Sequence, residues 1–354
     1  MICLIRPPSV ESVRLATTTV QLPLGLAYVA GALERAGRGV TVVDAVAMDP
    51  KRATKYVAGF LMGARLEDVA AAVPAGVDWI GISVIFTHEW PAVVRLVDLL
   101  KARLPDVPIV LGGEHVTSMP EFCLMSSRAD YLVLGEGEET VTELCDVLDG
   151  TRAPREVDGL VFREGGEIVV NKRRSRRSDI DDIAYPAWKY FDVRGYHDNR
   201  LTGSVYTDKL TVPILATRGC PYQCTYCSAP NMWTPKWIPR DPIKVVDEIE
   251  HWMKTLGAGS FPFQDLTAII RKDWIVAFCE ELLRRDLKIT WQLPVGTRSE
   301  AIDAEVAGLL ARTNMVSMAY APESGSEETR RLVKKKVHED ALFESVRAAV
   351  DARL

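Results

Sequence analysis

The chain has 354 residues, 47% of them hydrophobic and 26% charged, which is enough apolar material for two cores of ordinary size. Lys and Arg number 43 against 48 Asp and Glu, a net charge of -5. That balance excludes the broad basic field of a general nucleic-acid or anionic-lipid binder and leaves a small neutral or mixed-charge molecule as the expected substrate.

Met1-Ile2-Cys3-Leu4-Ile5-Arg6 enters a strand at once, with no charged leader or cleavage pattern, so no signal peptide is expected. The longest apolar stretch, residues 23–33, contains Gly25 and Gly31 and is about half the roughly 20 residues a membrane span requires. A soluble, cytoplasmic protein is the expectation. From residue 1 to about 150, short apolar runs alternate with longer amphipathic ones. Strands are predicted over residues 2–5, 40–44, 79–84, 109–111 and 131–134, and helices over 24–36, 89–103, 119–125 and 138–148. The pattern predicts a doubly wound, Rossmann-like α/β domain.

Residues 151–205 break that rhythm. A hairpin is predicted over 157–170, turning at Gly165-Gly166, followed by the basic run Lys172-Arg173-Arg174-Ser175-Arg176-Arg177. No aromatic residue interleaves with the run, so it reads as a solvated connector without a role of its own. Over residues 206–354 the alternation returns, with strands predicted at 212–216, 260–263, 289–294 and 316–320 and helices at 242–255, 273–285, 303–311 and from about 340. This is the opening of a (β/α) barrel. Only about four strand-helix units fit before Leu354, so a partial barrel from a longer protein is expected.

Seven cysteines without an export signal argue for reduced thiols or thiolate ligands rather than disulfides. Cys3, Cys123, Cys145 and Cys279 stand singly in apolar or helical stretches and read as buried thiols. Cys220, Cys224 and Cys227 lie within eight residues, directly after a predicted strand, at what would be the catalytic end of the barrel. A structural zinc site takes four protein ligands, and no suitably spaced fourth Cys or His follows, since His251 is 24 residues beyond Cys227. Three thiolates on an iron-sulfur cubane instead leave one iron without a protein ligand, where the amino and carboxylate groups of a small molecule can chelate.

The segment Thr217-Arg218-Gly219-Cys220-Pro221-Tyr222-Gln223-Cys224-Thr225-Tyr226-Cys227 resembles the CxxxCxxC signature of the radical S-adenosylmethionine superfamily, with Tyr226 as the aromatic before the last cysteine. The resemblance implies a four-iron, four-sulfur (4Fe-4S) cluster that reductively cleaves S-adenosylmethionine to a 5'-deoxyadenosyl radical. An external low-potential electron donor of the flavodoxin or ferredoxin type is then required. It also implies that Gln264 and Asp265, which end the second barrel strand, receive the amino end of S-adenosylmethionine, although the family's common Gly-Gly-Glu is absent there. Arg298 would meet its carboxylate, and Glu323 and Ser324 its ribose.

The first domain resembles the cobalamin-binding domain that precedes the barrel in a large radical S-adenosylmethionine subfamily. The matching pieces are Pro23-Leu24-Gly25-Leu26-Ala27-Tyr28, Gly81-Ile82-Ser83-Val84, Leu111-Gly112-Gly113-Glu114-His115 and Gly135-Glu136-Gly137-Glu138-Glu139, with Ile183-Ala184-Tyr185-Pro186-Ala187-Trp188 in the connector. Cobalamin contacts are implied for Ser83, Gly112, Gly113, His115, Gly135, Glu136 and Gly137. The glycines have a physical rationale, because a flat macrocycle approaches backbone only where no side chain intervenes. No Asp-x-His-x-x-Gly follows the first strand, so cobalt would lack a protein histidine, and His115 reads as a loop contact or as plain structure.

The pair of domains implies methyl transfer from cobalamin to an unactivated carbon of a small molecule. Cyclisation or rearrangement, as in the anaerobic cyclase of bacteriochlorophyll synthesis, is the alternative. A methylthiotransferase would need a second cluster on three N-terminal cysteines, and Cys3, Cys123 and Cys145 carry no such motif. A cofactor carrier without catalysis would not need Gln264, Asp265, Arg298 and Glu323. Trp233, Trp237 and Trp291 suit either an apolar substrate or a core.

Overall fold

The computed structural model describes residues 1–12, 20–57, 59–298 and 301–354. The chain divides into two compact units, the first comprising Met1–Arg176 and Ile183–Leu201, the second Arg177–Asp182 and Thr202–Leu354.

In the first unit the apolar runs Ile2–Arg6, Val40–Asp44, Trp79–Ser83, Ile109–Gly112 and Tyr131–Val133 form five parallel strands. Numbered by chain order among themselves, they lie side by side as 2-1-3-4-5, the flavodoxin-like order. The strand order reverses between Ile2–Arg6 and Trp79–Ser83, so a crevice opens beyond their carboxyl ends. Helices Leu24–Arg35, Leu66–Ala72, Trp90–Arg103 and Gly137–Leu148 connect the strands. One core of strand and helix residues, among them Ile5, Ile80, Leu96, Leu111 and Leu132, is sealed from solvent.

Two features depart from the sequence reading. The hairpin Leu160–Glu164 with Glu167–Val170 turns at Gly165 and Gly166, both with positive φ, but it is not part of a connector. It pairs antiparallel with Tyr131–Val133 and widens the sheet to seven strands. The basic run that follows is not a solvated face either. Arg174 donates to Glu139 and Glu143, and the mostly buried Arg176 stands 3.6 Å from Glu136; Glu136 and Glu139 lie at the start of the Gly137–Leu148 helix, where the dipole also favours them, and Glu143 one turn on from Glu139. Three short strands, Ser9–Ser12, Ala53–Tyr56 and Gly59–Met62, form a small antiparallel sheet that the alternation of apolar residues did not announce.

In the second unit Ser260–Pro262, Thr290–Thr297 and Met315–Tyr320 form a parallel sheet, alternating with helices Pro242–Leu256, Lys272–Arg284, Ala304–Arg312 and Glu339–Asp351. The strand expected over residues 212–216 is reduced to isolated parallel bridges from Thr211 to Ser260 and from Ile214 to Phe263. Val212 and Ile214 donate to the Ser260 and Pro262 carbonyls. Pro213, between them, has no N–H for a neighbour on the other side, which suits an edge position. Phe263, Phe278 and Trp291 pack ring to ring at 5.2–5.4 Å beneath the sheet, so Trp291 belongs to the core. Among the described residues, no helix is long and apolar enough to cross a membrane.

Candidate functional site

In the second unit the cysteine loop leaves the short strand Thr217–Arg218, which pairs with Ile238–Pro239. Gly219 follows with φ +85°, a left-handed turn open to glycine, and Cys220 begins the motif. All seven cysteines are unpaired thiols, but only Cys220, Cys224 and Cys227 reach solvent, Cys227 the most. Cys227 N–H donates to the Cys224 carbonyl (3.1 Å), and Ala229 N–H points at Cys227 Sγ (3.4 Å). Burial is the main cause that raises the Cys220 pKa. The neighbouring Cys227 and Cys224 add to it, while the Tyr222 N–H and Arg298 oppose it. Among the described residues no three His, Cys, Asp or Glu side chains stand assembled around a metal position. The loop thus carries three thiols close together in sequence, without drawing them into one coordination position and without a fourth His, Cys, Asp or Glu beside them.

The floor of this loop is made by Asp265. Its buried carboxylate accepts from the backbone N–H of Ala216 (3.1 Å) and of Thr217. Burial pushes the acid up to about 6, against the pull of the Thr217 hydroxyl, these N–H groups and Arg240. Arg240 adds a second brace, donating to the Leu215 carbonyl (2.9 Å) while ion-paired at 2.5 Å to the fully buried Glu248. The sequence reading gives Asp265 a direct role toward a ligand amine; the structure shows its oxygens engaged by backbone N–H groups. Both its oxygens are spent on the strand that launches the cysteine loop, which makes it a positioning residue. Gln264 is placed differently: its side-chain Nε2 is buried without a partner, as are the hydroxyls of Thr267, in the loop after the strand Ser260–Pro262, and of Thr297, at the end of the next strand.

Arg298 ends the longest strand with its guanidinium 3.9 Å above the Tyr222 ring, inside the cysteine motif, and donates to the Lys336 carbonyl. Glu323, with φ +67°, accepts from Tyr226 and from Lys335 Nζ (3.0 Å). Burial acts against its charge, but these two donors hold its pKa below the usual carboxylate value. Tyr226 is raised by burial first and by Glu323 second. Ser324 accepts from the Ser326 N–H (3.1 Å), shaping the turn into the next helix. The segment Val333 to Lys336, which sequence reasoning missed, closes over all of this. The Val333 carbonyl accepts from Thr225 N–H (3.1 Å), and the Lys334 carbonyl lies 3.9 Å from Cys224 Sγ. Its signal was the charge run itself, Arg330-Arg331-Leu332-Val333-Lys334-Lys335-Lys336. Trp237 donates to the Thr267 carbonyl (3.0 Å), and Trp233 lies beneath Arg218.

In the first unit the singled-out loops meet at the carboxyl ends of the parallel strands. Ser83 pairs with Gly112, and Gly113 has φ +118°, with Val84 O so close that a Cβ would collide with it. Thr117, absent from the sequence reading, joins two of the loops: its hydroxyl donates to the Gly113 carbonyl (2.9 Å) and accepts from Gly135 N–H (2.9 Å). Gly112 and Gly137 would hold a Cβ at ordinary distance from Val133, so nothing within the domain demands glycine there. Glu136 is taken up by Arg176 and starts the helix from Gly137.

His115 is buried against Trp90 (5.1 Å between centroids), with Nδ1 3.1 Å from the Thr87 hydroxyl and Nε2 unpartnered. Burial lowers its pKa, favouring the neutral ring. At the switch of strand order, Arg6 donates to the Tyr196 hydroxyl and stands 4.0 Å from Asp44, whose carboxylate accepts from Tyr196 (2.8 Å). Cys3, Cys123 and Cys145 are buried, and desolvation pushes the first two up to about 12.

Residues 13–145 match the B12 binding domain family and residues 214–354 the Radical SAM superfamily. The chain belongs to the radical S-adenosylmethionine enzymes that carry a B12-binding domain ahead of the barrel, whose cofactors are a 4Fe-4S cluster, S-adenosylmethionine and cobalamin. Among its relatives, cytidylyl-2-hydroxyethylphosphonate methyltransferase of Streptomyces wedmorensis is 28% identical over 345 residues, covering 89% of this chain and 64% of the relative. The anaerobic magnesium-protoporphyrin IX monomethyl ester cyclase of Synechocystis sp. is 31% identical over 316 residues, covering 88% and 59%. In fold, the chain is similar to the radical S-adenosylmethionine methyltransferase TsrM from Kitasatospora setae, solved with cobalamin and a 4Fe-4S cluster bound. The TM-score is 0.73 at 17% identity, over 99% of this chain and 65% of that one. The chain thus spans about two thirds or less of these relatives' lengths.

Proposed function

We propose that Cys220, Cys224 and Cys227 hold the 4Fe-4S cluster and that the chain is the cofactor-binding part of a cobalamin-dependent methyltransferase acting on an unactivated carbon of a small molecule. When bound, the cofactors supply reductive cleavage of S-adenosylmethionine to a 5'-deoxyadenosyl radical and a transferable methyl group. The chain's own work is positional. Asp265 and Arg240 fix the strand that launches the thiols, and the orphaned Gln264 amide offers donors to a carboxylate or ribose oxygen. Arg298, stacked on Tyr222, brings a fixed positive charge beside the thiols, suited to the carboxylate of S-adenosylmethionine. Glu323 and Tyr226, hydrogen-bonded to one another, present a carboxylate and a phenol at the edge of the loop. In the first unit Ser83, Gly112, Gly113, Gly135 and Gly137 provide bare backbone for the macrocycle, with His115 packed beneath as structure rather than as a cobalt ligand.

The observation that carries this reading is a loop of three thiols without a fourth protein ligand, beside unsatisfied polar atoms at the ends of a parallel sheet. Cyclisation or rearrangement is the second reading, favoured by the similarity to the protoporphyrin ester cyclase. Anaerobic reconstitution with iron, sulfide and hydroxocobalamin, followed by reduction in the presence of substrate candidates, tests both. Formation of 5'-deoxyadenosine together with S-adenosylhomocysteine supports methyl transfer. Deoxyadenosine alone supports the second reading, and neither product removes both.

A further inference from the structure

The run Thr329 to His338 holds five cations, Arg330, Arg331, Lys334, Lys335 and Lys336, and no carboxylate. Two of them are consumed: Arg330 pairs with Glu339 (2.9 Å) and Lys335 with Glu323 (3.0 Å). Arg331, Lys334 and Lys336 extend into solvent. Between them Leu332 is 69% exposed, and across the loop Tyr226 is 54% exposed. A small apolar centre rimmed by cations is the anatomy of a transient electrostatic interface, in which charge steers the encounter and apolar contact completes it. Its place decides what it is for. The backbone of this same run accepts from Thr225 and lies 3.9 Å from Cys224 Sγ, and Cys227 is the exposed thiol of the three. Glu327, Glu328 and Asp340 flank the run, so the positive field is local to the cysteine loop rather than spread over the unit.

We propose that Arg331, Leu332, Lys334 and Lys336 form the docking surface for an acidic low-potential electron carrier of the flavodoxin class, which delivers its electron beside Cys224. The proposal rests on the cluster assignment above. The step balances simply: the reduced carrier loses one electron, the cluster held by the three thiolates gains it, and no atom or proton need move between them.

The test compares wild type with a variant carrying Arg331→Glu, Lys334→Asp and Lys336→Glu, Asp being chosen because Lys334 has φ +55°. Binding of a recombinant flavodoxin to the cluster-free chain, by interferometry at low and high salt, is read first. Wild type should bind at low salt and release at high salt, and the variant should lose binding. Reduction of the reconstituted cluster by flavodoxin hydroquinone, followed by stopped-flow absorbance, should then slow on the order of tenfold in the variant. Reduction by dithionite, which needs no docking, should stay unchanged. Equal flavodoxin binding by both proteins, or equal flavodoxin rates, overturns the docking surface while leaving the cluster in place. Failure of wild type to take up iron and sulfide overturns the cluster assignment, and the binding measurement still decides the surface.

Discussion

Replacing Asp265 separates its charge from its hydrogen bonds. The carboxylate is buried and titrates near 6 instead of at its ordinary value of 3.8. Between those values the folded chain binds a proton that the unfolded chain has lost. The contribution of this group is therefore fully present below about pH 4 and is lost as pH rises through 6. A difference of about two units is worth about 3 kcal/mol in total, of which roughly 2 kcal/mol falls between pH 4 and pH 7.5. Asp265→Asn removes the titration and keeps an oxygen facing Ala216 and Thr217, whereas Asp265→Ala removes both. In urea unfolding of the full chain, the stability of the Asn variant relative to wild type should rise by roughly 2 kcal/mol from pH 4 to pH 7.5. The Ala variant, with two buried N–H groups bare, should lie about 2–6 kcal/mol below the Asn variant at each pH. A pH-independent gap between wild type and Asn, or an Ala variant as stable as Asn, would refute the role of Asp265 as the floor of the cysteine loop.

Serine at Cys220, Cys224 or Cys227 should abolish iron uptake on reconstitution while leaving the circular dichroism spectrum unchanged, and serine at Cys123 or Cys279 should leave the iron content as in wild type. Gly113→Ala places a Cβ against Val84 O at φ +118°, and should cost about 1–3 kcal/mol in unfolding and lower cobalamin retention, read by visible absorbance after desalting. Arg240→Met strands the buried Glu248 and should destabilise by about 3–5 kcal/mol in the same unfolding assay.

The parallel core of the first unit was legible because its strands are continuous apolar runs and its helices amphipathic. Val40–Asp44 has the expected bounds, and the other four strands differ by a residue or so at an end. What escaped was decided by tertiary contacts. Ser9–Ser12 has no strand signature and pairs because Gly59 lets another backbone come against Glu11. Arg174 and Arg176 look solvated until helix formation brings Glu136, Glu139 and Glu143 to face them. At the candidate site, spacing and resemblance singled out the three thiols, Arg298 and Glu323, and the structure puts Arg298 over Tyr222 and Glu323 against Tyr226. Asp265 was not readable as a brace, because only the fold directs its oxygens to Ala216 and Thr217. Thr117 was likewise invisible, since its contacts are made by a hydroxyl that any sequence can supply, and the charge run around Val333 to Lys336 showed in the sequence without showing that its carbonyls meet the cysteine loop.

The central claim is tested most directly by electron paramagnetic resonance of the anaerobically reconstituted, reduced chain, recorded with and without S-adenosylmethionine. The account predicts a single 4Fe-4S signal whose g-values shift when the sulfonium ligand is added. Tetrahedral zinc at the three thiols, or a cluster signal indifferent to S-adenosylmethionine, would contradict it.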